Sequence, residues 1–400
     1  MAALIPTLLR LLVLRPEDYP VLYQTAFGVV GAILLGFWLI RNMTTYPGVK
    51  TGSYVIPVFT ISYFIMLMVF VLGRLEYNRA AVASGYVLII LWFVFVNIMV
   101  QRSQHLKVGY LPFGASADRV PMSGITWIRI DDPAQDVSHL DAIAADLRID
   151  LPSEWDRRVA DYALEGMPVF HVKSLVESLT GRVELEHLSE NSFGSLVPLS
   201  AFMTVKRLVD WVSAAIVGVC LLPVFAVVGL AIKLDSPGPA LFRQKRIGFR
   251  GRPFTVYKFR TMFTETVAQA AGDARFAAMT QEGDARITRL GRFLRRTRID
   301  ELPQILNILR GEMSWIGPRP EAEALSRWYE TEIPFYRYRH IVRPGLAGWA
   351  QVCQGHVSDV EDVRSKLNYD FYYIKNFSPW IDLLIIARTV RIVFTGFGSR

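Results

Sequence analysis

The chain runs to 400 residues, room for two or three domains, and 52% of it is hydrophobic, with 24 Phe and 9 Trp, more apolar and aromatic than soluble domains usually are. The net charge of +8 sits in the second half, the first being slightly acidic. A basic half beside long apolar runs points to a membrane surface or an anionic substrate such as a phosphate ester, and nucleic acid is set aside because no RNA- or DNA-module signature appears. With only two cysteines, Cys220 in an apolar run and Cys353 in a polar one, a disulfide framework is not expected, and no Cys/His spacing resembles a zinc site.

Residues 1–15 are apolar but too short to span a bilayer, and they suit an interfacial amphipathic helix; Arg10 and Arg15 and the lack of a small-residue cleavage pattern argue against a signal peptide. Three longer runs, Val21–Ile40, Tyr54–Gly73 and Val82–Val100, each approach the ~20 residues of a spanning helix. Whether the first fifteen residues join them in a fourth span is open. The charges of the short loops between them do not decide orientation. From Ser103 the composition becomes that of a soluble domain. Gly124–Ile130 reads as a strand, Ser153–Glu165 and Val172–Leu179 as helices, and Met167–Val172 and Arg182–Leu188 as further strands. Together they form a small α/β module of roughly 90 residues. It holds no G-x-G-x-x-G, so no nucleotide is assigned to it.

Lys206-Arg207 open an uncharged run, Val212–Ile232, closed by Lys233, Arg243, Lys245 and Arg246. Basic flanks on both sides prefer the cytoplasm, and Pro223 bends a helix from its middle. The expectation is a re-entrant helix that enters one leaflet and returns, against an ordinary span with an incidental kink. Asp235–Pro239 is a turn, Gln244–Gly251 a basic hairpin and Phe254–Met262 a strand with Lys258 and Arg260 on one face, suited either to a phosphate or to protection of a sheet edge. Residues 263–285 read as a loop. Arg286–Arg296 repeats basic residues against Ile287, Leu290, Phe293 and Leu294, the pattern of an interfacial helix or of a packed helix with a solvated face.

The most informative stretch is Thr297–Gln304, where Asp300 and Glu301 stand side by side after six arginines. Pro303 fits the first turn of a helix that Leu302, Ile305, Leu306, Ile308 and Leu309 continue. Asp300 then lies near a helix N-terminus, where negative charge is favoured. A carboxylate kept ionised among arginines suits a nucleophile toward phosphorus or a metal ligand; the plainer alternative is an N-cap beside a solvated acid. Gly311–Pro320 holds Arg319 rigidly between prolines, as a phosphate clamp or a plain turn. Arg343–Gln351 is a second stiff loop, with Trp349 placed to stack on a base and Arg343 to meet a phosphate. Asp370, among Tyr369, Phe371, Tyr372 and Tyr373, is either an acid of altered proton affinity or a partner of a tyrosine. Ser378-Pro379 starts a final helix.

In order, Lys206-Arg207…Asp210, Pro223, Ser236–Pro239, Phe242–Gln244, Tyr257–Met262, Arg286–Thr288, Asp300–Gln304, Ile316–Pro320, Arg343–Gln351 and Asp370…Tyr373-Ile374 resemble the catalytic domain of the monotopic bacterial phosphoglycosyl transferases, the bacterial sugar transferase family. The resemblance covers about half of the chain and is specific because the motifs are collinear. The N-terminal runs and middle module resemble its long members, which act on undecaprenyl phosphate; glucose or galactose phosphate is the preferred group transferred, with N-acetylated sugars the alternative. It implies an α+β fold divided into 1–102, transmembrane; 103–200, a cytoplasmic α/β module; and 201–400, a monotopic catalytic domain with a re-entrant helix kinked at Pro223 and interfacial amphipathic helices.

The resemblance further implies that Asp300 attacks the sugar-bound phosphate of a UDP-sugar, that UMP leaves, and that polyprenyl phosphate takes the sugar phosphate from the phospho-aspartyl enzyme, initiating exopolysaccharide, capsule or O-antigen synthesis. Glu301 would ligate Mg²⁺. Lys258, Arg260, Arg295, Arg319, Arg343 and Gln351 would bind substrate, and Asp370 would join Asp300 and Glu301 as a catalytic group. The expected partners are the UDP-sugar, polyprenyl phosphate and membrane lipid, with a homodimer left open, at the cytoplasmic face of the bacterial inner membrane. Two departures from the family stand out: Leu222 precedes the helix proline where Ser is common, and Arg298-Ile299 precedes the acidic pair where Ser-Leu is common. The alternatives are a non-catalytic scaffold for polysaccharide assembly and a glycosyl transferase that releases UDP.

Overall fold

The computed structural model describes residues 4–11, 15–43, 55–101, 106–114, 125–183, 200–263, 286–354 and 360–395. They form two units, Met1–Gly181 and Arg182–Arg400.

In the first unit a short helix α1 (Leu4–Leu11) precedes α2 (Tyr19–Met43), α3 (Val55–Leu72) and α4 (Arg79–Gln101). The last three follow the three apolar runs and are long and apolar enough to cross a membrane; the eight residues of α1 are too few. Aromatic rings set the contact between α3 and α4, with Phe59 and Phe93 centroids 5.0 Å apart and Tyr63 and Tyr86 5.2 Å apart. Beyond them, β1 (Leu106–Tyr110), β2 (Ile125–Arg129), β3 (Ala142–Ala145) and β4 (Val169–His171) pair in parallel in the order β2-β1-β3-β4. Parallel strands need both faces covered. α5 (Ser153–Leu164) covers one with Trp155 and Tyr162, and α6 (Val172–Thr180) covers the other with Val172 and Leu175. β2, β4, α5 and α6 are where the hydrophobic pattern places them. β1 and β3 were not expected: Leu106–Tyr110 carries Lys and Gly, and Ala142–Ala145 has little of the β-branched bulk that marks strands. Most of the strand expected at Arg182–Leu188 lies outside the described residues, as does most of the loop 263–285.

The second unit is organised on α7 (Ser200–Asp235), a single 36-residue helix with Pro223 inside it. Asp210, Ala214, Leu221, Phe225, Val228 and Ile232 recur at helical spacing and pack on the polar part of the unit. The opposite stripe, Leu208, Val212, Ile216, Val219, Val227, Leu230 and Leu234, is exposed. Both ends are tied to the same unit. Lys206 Nζ lies 2.6 Å from Asp382 Oδ2, and the Ser314 hydroxyl donates to Asp210 Oδ2 at 2.6 Å. At the other end the Arg260 guanidinium donates to the carbonyls of Ile232, Ser236 and Pro237.

A hairpin of β5 (Leu241–Ile247) and β6 (Pro253–Phe259) follows, with Phe242 opposite Lys258 and Arg246 opposite Phe254. Directly opposed residues share a sheet face, so Arg246 and Lys258 stand on the same side. Then come α8 (Arg289–Arg296), a 3₁₀ turn at Ile299–Gln304 and α9 (Ile305–Leu309). The helix expected around Pro303 is present as α9, and the six residues ahead of it, Pro303 included, take the tighter 3₁₀ form. β7 (Ser314–Ile316) and β8 (Gly345–Ala347) pair in parallel, flanked by α10 (Glu323–Glu332), α11 (Trp349–Cys353), α12 (Val360–Lys375) and α13 (Pro379–Thr395).

Candidate active site

The acidic pair is held from both sides of its own sequence. On the N-terminal side, the Thr288 hydroxyl caps α8 by accepting from the Gly291 amide at 2.9 Å. Gly291 lies so close to the Thr261 backbone that a Cβ there would collide with it. That approach lets Arg295 Nε donate to Thr261 Oγ1 at 2.9 Å and brings its charge to bear on Asp300. Arg298 turns the chain out of α8 with φ +60°, ψ 14°, a left-handed conformation that bulky residues rarely adopt. On the C-terminal side, Asn307 is fully buried. Its amide donates to Thr255 O at 2.7 Å and its Oδ1 accepts from the Tyr257 amide at 3.2 Å, so α9 is pinned along β6. The turn between these anchors places Asp300 and Glu301 against the hairpin face that carries Lys258.

Glu301 is clamped. Arg319 donates to both of its carboxylate oxygens, Nη2 to Oε1 at 2.6 Å and Nη1 to Oε2 at 3.2 Å, and Lys258 Nζ donates to Oε1 at 3.1 Å. Burial would raise this carboxyl, but Arg319 and Lys258 overcome that and hold it well below the usual range. Lys258 is pushed down to about 8 by burial, with Glu301 pulling the other way. Asp300 behaves differently. It is 8% exposed, and burial together with the Glu301 charge lifts its carboxyl to about 6 against the opposing pull of Lys258, Arg295 and Arg319. Desolvation thus outweighs the arginines expected to keep it strongly ionised. Among the described residues, Asp300 Oδ1 is buried with no hydrogen-bond partner. A buried acceptor left unpaired costs free energy and is available to an incoming group.

The clamp has a stiff support. The loops around Arg319 and Arg343, read separately in the sequence, zip together: the Gly317 amide donates to Ala347 O at 2.9 Å and the Gly345 amide to Pro318 O at 3.0 Å. A Cβ on Gly317 would strike the backbone of Arg343–Gly345, which explains glycine at this close approach.

Of the expected site residues, Asp300, Glu301, Lys258, Arg295 and Arg319 come together. The others are placed elsewhere. Arg260 is buried at the end of α7, where it caps carbonyls and the Ser236 hydroxyl (2.9 Å), and it does not share a phosphate-gripping face with Lys258; β6 ends at Phe259, one residue before it. Arg343 donates to Gly311 O at 3.1 Å and lies over the Phe249 ring. Gln351 Oε1 is buried near Gly348, beside the Gly317 backbone. Trp349 is also buried, stacked on Tyr372 with Arg388 over its ring, so it is not presented to a base. Asp370 is 1% exposed and ion-paired to Arg339 at 2.8 Å; its partner is an arginine rather than a tyrosine.

Arg246 was overlooked as a site residue. It donates to Pro320 O and lies within the electrostatic reach of Glu301, Arg319 and Glu321; burial and the Arg319 charge lower it to about 10. Its alternation with Gln244 on β5 was the available signal.

Among the described residues no three His, Cys, Asp or Glu side chains converge as a metal cage. Two adjacent carboxylates nevertheless suit Mg²⁺, which keeps several waters and takes the remaining ligands from substrate phosphates. The buried Asp300 Oδ1 fits such a donor set, and Glu301, whose oxygens already accept from Arg319 and Lys258, would be the second carboxylate.

The bacterial sugar transferase family profile matches residues 201–396. A relative from Aeromonas hydrophila, named UDP-N-acetylgalactosamine-undecaprenyl-phosphate N-acetylgalactosaminephosphotransferase, is 42% identical over 378 residues, 94% of this chain and 88% of its own. A UDP-glucose:undecaprenyl-phosphate glucose-1-phosphate transferase of Caulobacter vibrioides is 46% identical over 204 residues, 50% of this chain and 74% of its own. An exopolysaccharide production protein of Rhizobium leguminosarum is 42% identical over 193 residues, 47% of this chain and 94% of its own. The chain belongs to the bacterial sugar transferase family. It is a membrane enzyme of the long form, with an extension ahead of the transferase domain.

Proposed function

We propose that the protein transfers a sugar 1-phosphate from a UDP-sugar to undecaprenyl phosphate at the cytoplasmic face of the bacterial inner membrane, initiating exopolysaccharide, capsule or O-antigen assembly. The observation that carries the reading is the buried, unpartnered Asp300 Oδ1 beside a Glu301 fixed by Lys258 and Arg319. An Asp300 oxygen attacks the sugar-bound phosphorus, the bond from that phosphorus to the bridging oxygen breaks, and UMP leaves with the electron pair. A phosphate oxygen of undecaprenyl phosphate then attacks the same phosphorus, frees Asp300 and forms undecaprenyl diphosphosugar. Arg319, Lys258 and Arg295 supply positive charge where the phosphoryl oxygens gather negative charge. Mg²⁺, held by Asp300 and Glu301, would supply further neutralisation of the diphosphate. With a carboxyl raised only to about 6, Asp300 is mostly ionised at neutral pH.

The covalent step lets a soluble donor and a lipid acceptor use one site in turn. Its location at the leaflet surface is supported by α7. A helix of 36 residues would be about 54 Å long if straight, far more than a ~30 Å hydrocarbon core requires, yet it is anchored at both ends to one polar unit. This favours a monotopic, re-entrant helix bent at Pro223 over a crossing, with residues 1–102 as the membrane region, 103–200 as the α/β module and 201–400 as the catalytic domain. As donor we take UDP-N-acetylgalactosamine first, because the Aeromonas hydrophila relative, which covers 94% of this chain, carries that sugar in its name, and UDP-glucose next.

The test supplies purified protein in nanodiscs with undecaprenyl phosphate and a panel of UDP-sugars. The expected products are UMP and undecaprenyl diphosphosugar. Release of UDP would contradict the reading in favour of glycosidic-bond chemistry, and no turnover with any donor would favour a scaffold.

A further inference from the structure

We propose that Asp370 and Arg339 form a positioning pair that seats the Arg319 clamp, instead of meeting substrate themselves. The inference rests on the reading of Asp300 and Glu301 as the transfer site.

Arg339 is 3% exposed, too buried to touch a ligand. Its planar guanidinium is shared among three groups. Nη1 donates to the Tyr336 hydroxyl at 2.8 Å, and Nη2 donates to the backbone carbonyl of Arg319 at 2.8 Å while standing 2.8 Å from Asp370 Oδ2. The next carbonyl, that of Pro320, accepts from Arg246 Nη1, which reaches across from the β5–β6 hairpin. Two arginines from different elements, Arg339 buried and Arg246 half-buried, therefore grip two successive carbonyls of the loop.

The Arg246 grip is steadied by Gln244, whose Oε1 accepts from its Nε and Nη2, and the Arg339 grip is tethered by carboxylates. Arg339 faces Asp370 and lies 4.0 Å from Glu321, and Glu321 is ion-paired in turn to Lys366. Lys366 and Asp370 are four residues apart on α12, so one helical turn presents both charges to the same side. A network buried this deeply is a poor route to stability alone, since apolar side chains of similar volume would often serve as well. What it supplies is direction. The two-pronged contact of Arg319 with Glu301 tolerates little rotation, and fixing carbonyls 319 and 320 fixes the line along which that side chain leaves the backbone.

The deciding experiment is a double-mutant cycle on the full-length protein in nanodiscs, reading kcat/KM for the UDP-sugar and melting temperature. Arg339→Lys keeps the charge opposite Asp370, but a single ammonium cannot span Arg319 O, Tyr336 Oη and Asp370 together. It is expected to lower kcat/KM by about 10- to 100-fold, the scale of a misplacement of order 1 Å. In an Arg319→Lys background the same change is expected to add less than about 3-fold, because the residue it positions is already gone. If the two losses multiply independently, the positioning role is overturned. Should Arg339→Lys not fold, Asp370→Asn, which keeps the shape and removes the charge, carries the same cycle with the same two outcomes. Absence of transfer by the unmodified protein would instead count against the proposed function, so the two failures are distinguishable.

Discussion

Asp300 and Asp370 are both buried carboxylates whose proton affinity burial raises, and they have opposite surroundings. Asp370 faces one fixed arginine at 2.8 Å inside a network that reaches to Glu321 and Lys366. Asp300 has three cations near it, yet two of them, Lys258 and Arg319, are bonded to its neighbour Glu301, and among the described residues its own Oδ1 has no hydrogen-bond partner. Hydrogen bonding does not separate them, since among the described residues both Asp370 oxygens, like Asp300 Oδ1, are buried without a hydrogen-bond partner; what separates them is that Asp370 Oδ2 stands in a direct ion pair with Arg339, while Lys258 and Arg319 beside Asp300 are paired to Glu301 instead. Folds tolerate the second arrangement where function requires it.

That comparison breaks most sharply at Asp300→Asn. We expect transfer to fall by at least about 10³-fold, as for loss of a covalent nucleophile, while the protein still reaches the membrane; retained activity would erase the distinction. Chelation of divalent cations is expected to suppress turnover to a similar degree, with recovery on adding Mg²⁺. Glu301→Gln removes the carboxylate that Arg319 and Lys258 both bond, leaving Asp300 near these half-buried charges. It should destabilise the fold by about 3–5 kcal/mol and lower turnover by about 100-fold, measured by denaturant melts and UMP release. Because Glu301 titrates below its unfolded value, its stabilisation is present above about pH 4.5 and is lost as pH falls through the depressed folded value.

Asp300 has the opposite sign. Its raised carboxyl makes the ionised form oppose folding, a penalty absent below about pH 4 and growing as pH rises toward 6. Asp300→Asn in metal-free protein should therefore be more stable than the parent at pH 7 by about 1–3 kcal/mol, with the gain vanishing in acid. The smallest effect on chemistry is expected at Arg260→Met, which removes a cap from α7. Melting should fall by the equivalent of about 1–3 kcal/mol, with turnover per folded molecule changed by only a few-fold.

The legible parts of this molecule were those encoded locally. Apolar length marked α2, α3, α4 and α7, and Pro303 marked the turn that carries the acidic pair. The glycines and prolines around Arg319 and Arg343 marked two rigid loops. What stayed hidden depended on partners distant in sequence. Lys258 and Arg260 look equivalent on paper, but β6 ends between them, and Arg260 turns to the carbonyls of Ile232 and Ser236. Asp370 among tyrosines suggested either an altered proton affinity or a tyrosine partner; burial does raise its carboxyl, but its ion-pair partner is an arginine from a 3₁₀ segment thirty-one positions earlier in the chain. Trp349 reads as a stacking platform until Tyr372 and Arg388 cover its faces. The strands β1 and β3 escaped for a similar reason: Ala142–Ala145 becomes a strand because helices bury both of its faces, a tertiary cause that four small residues do not advertise.

The central claim, that Asp300 carries the sugar phosphate between donor and acceptor, is tested most directly by intact-mass and peptide analysis of protein incubated with a UDP-sugar and no undecaprenyl phosphate. The account predicts a mass gain of one sugar 1-phosphate, mapped to Asp300, matched by released UMP and discharged when the lipid acceptor is added. Product formation with Asp300 never modified at any point in the reaction would contradict it.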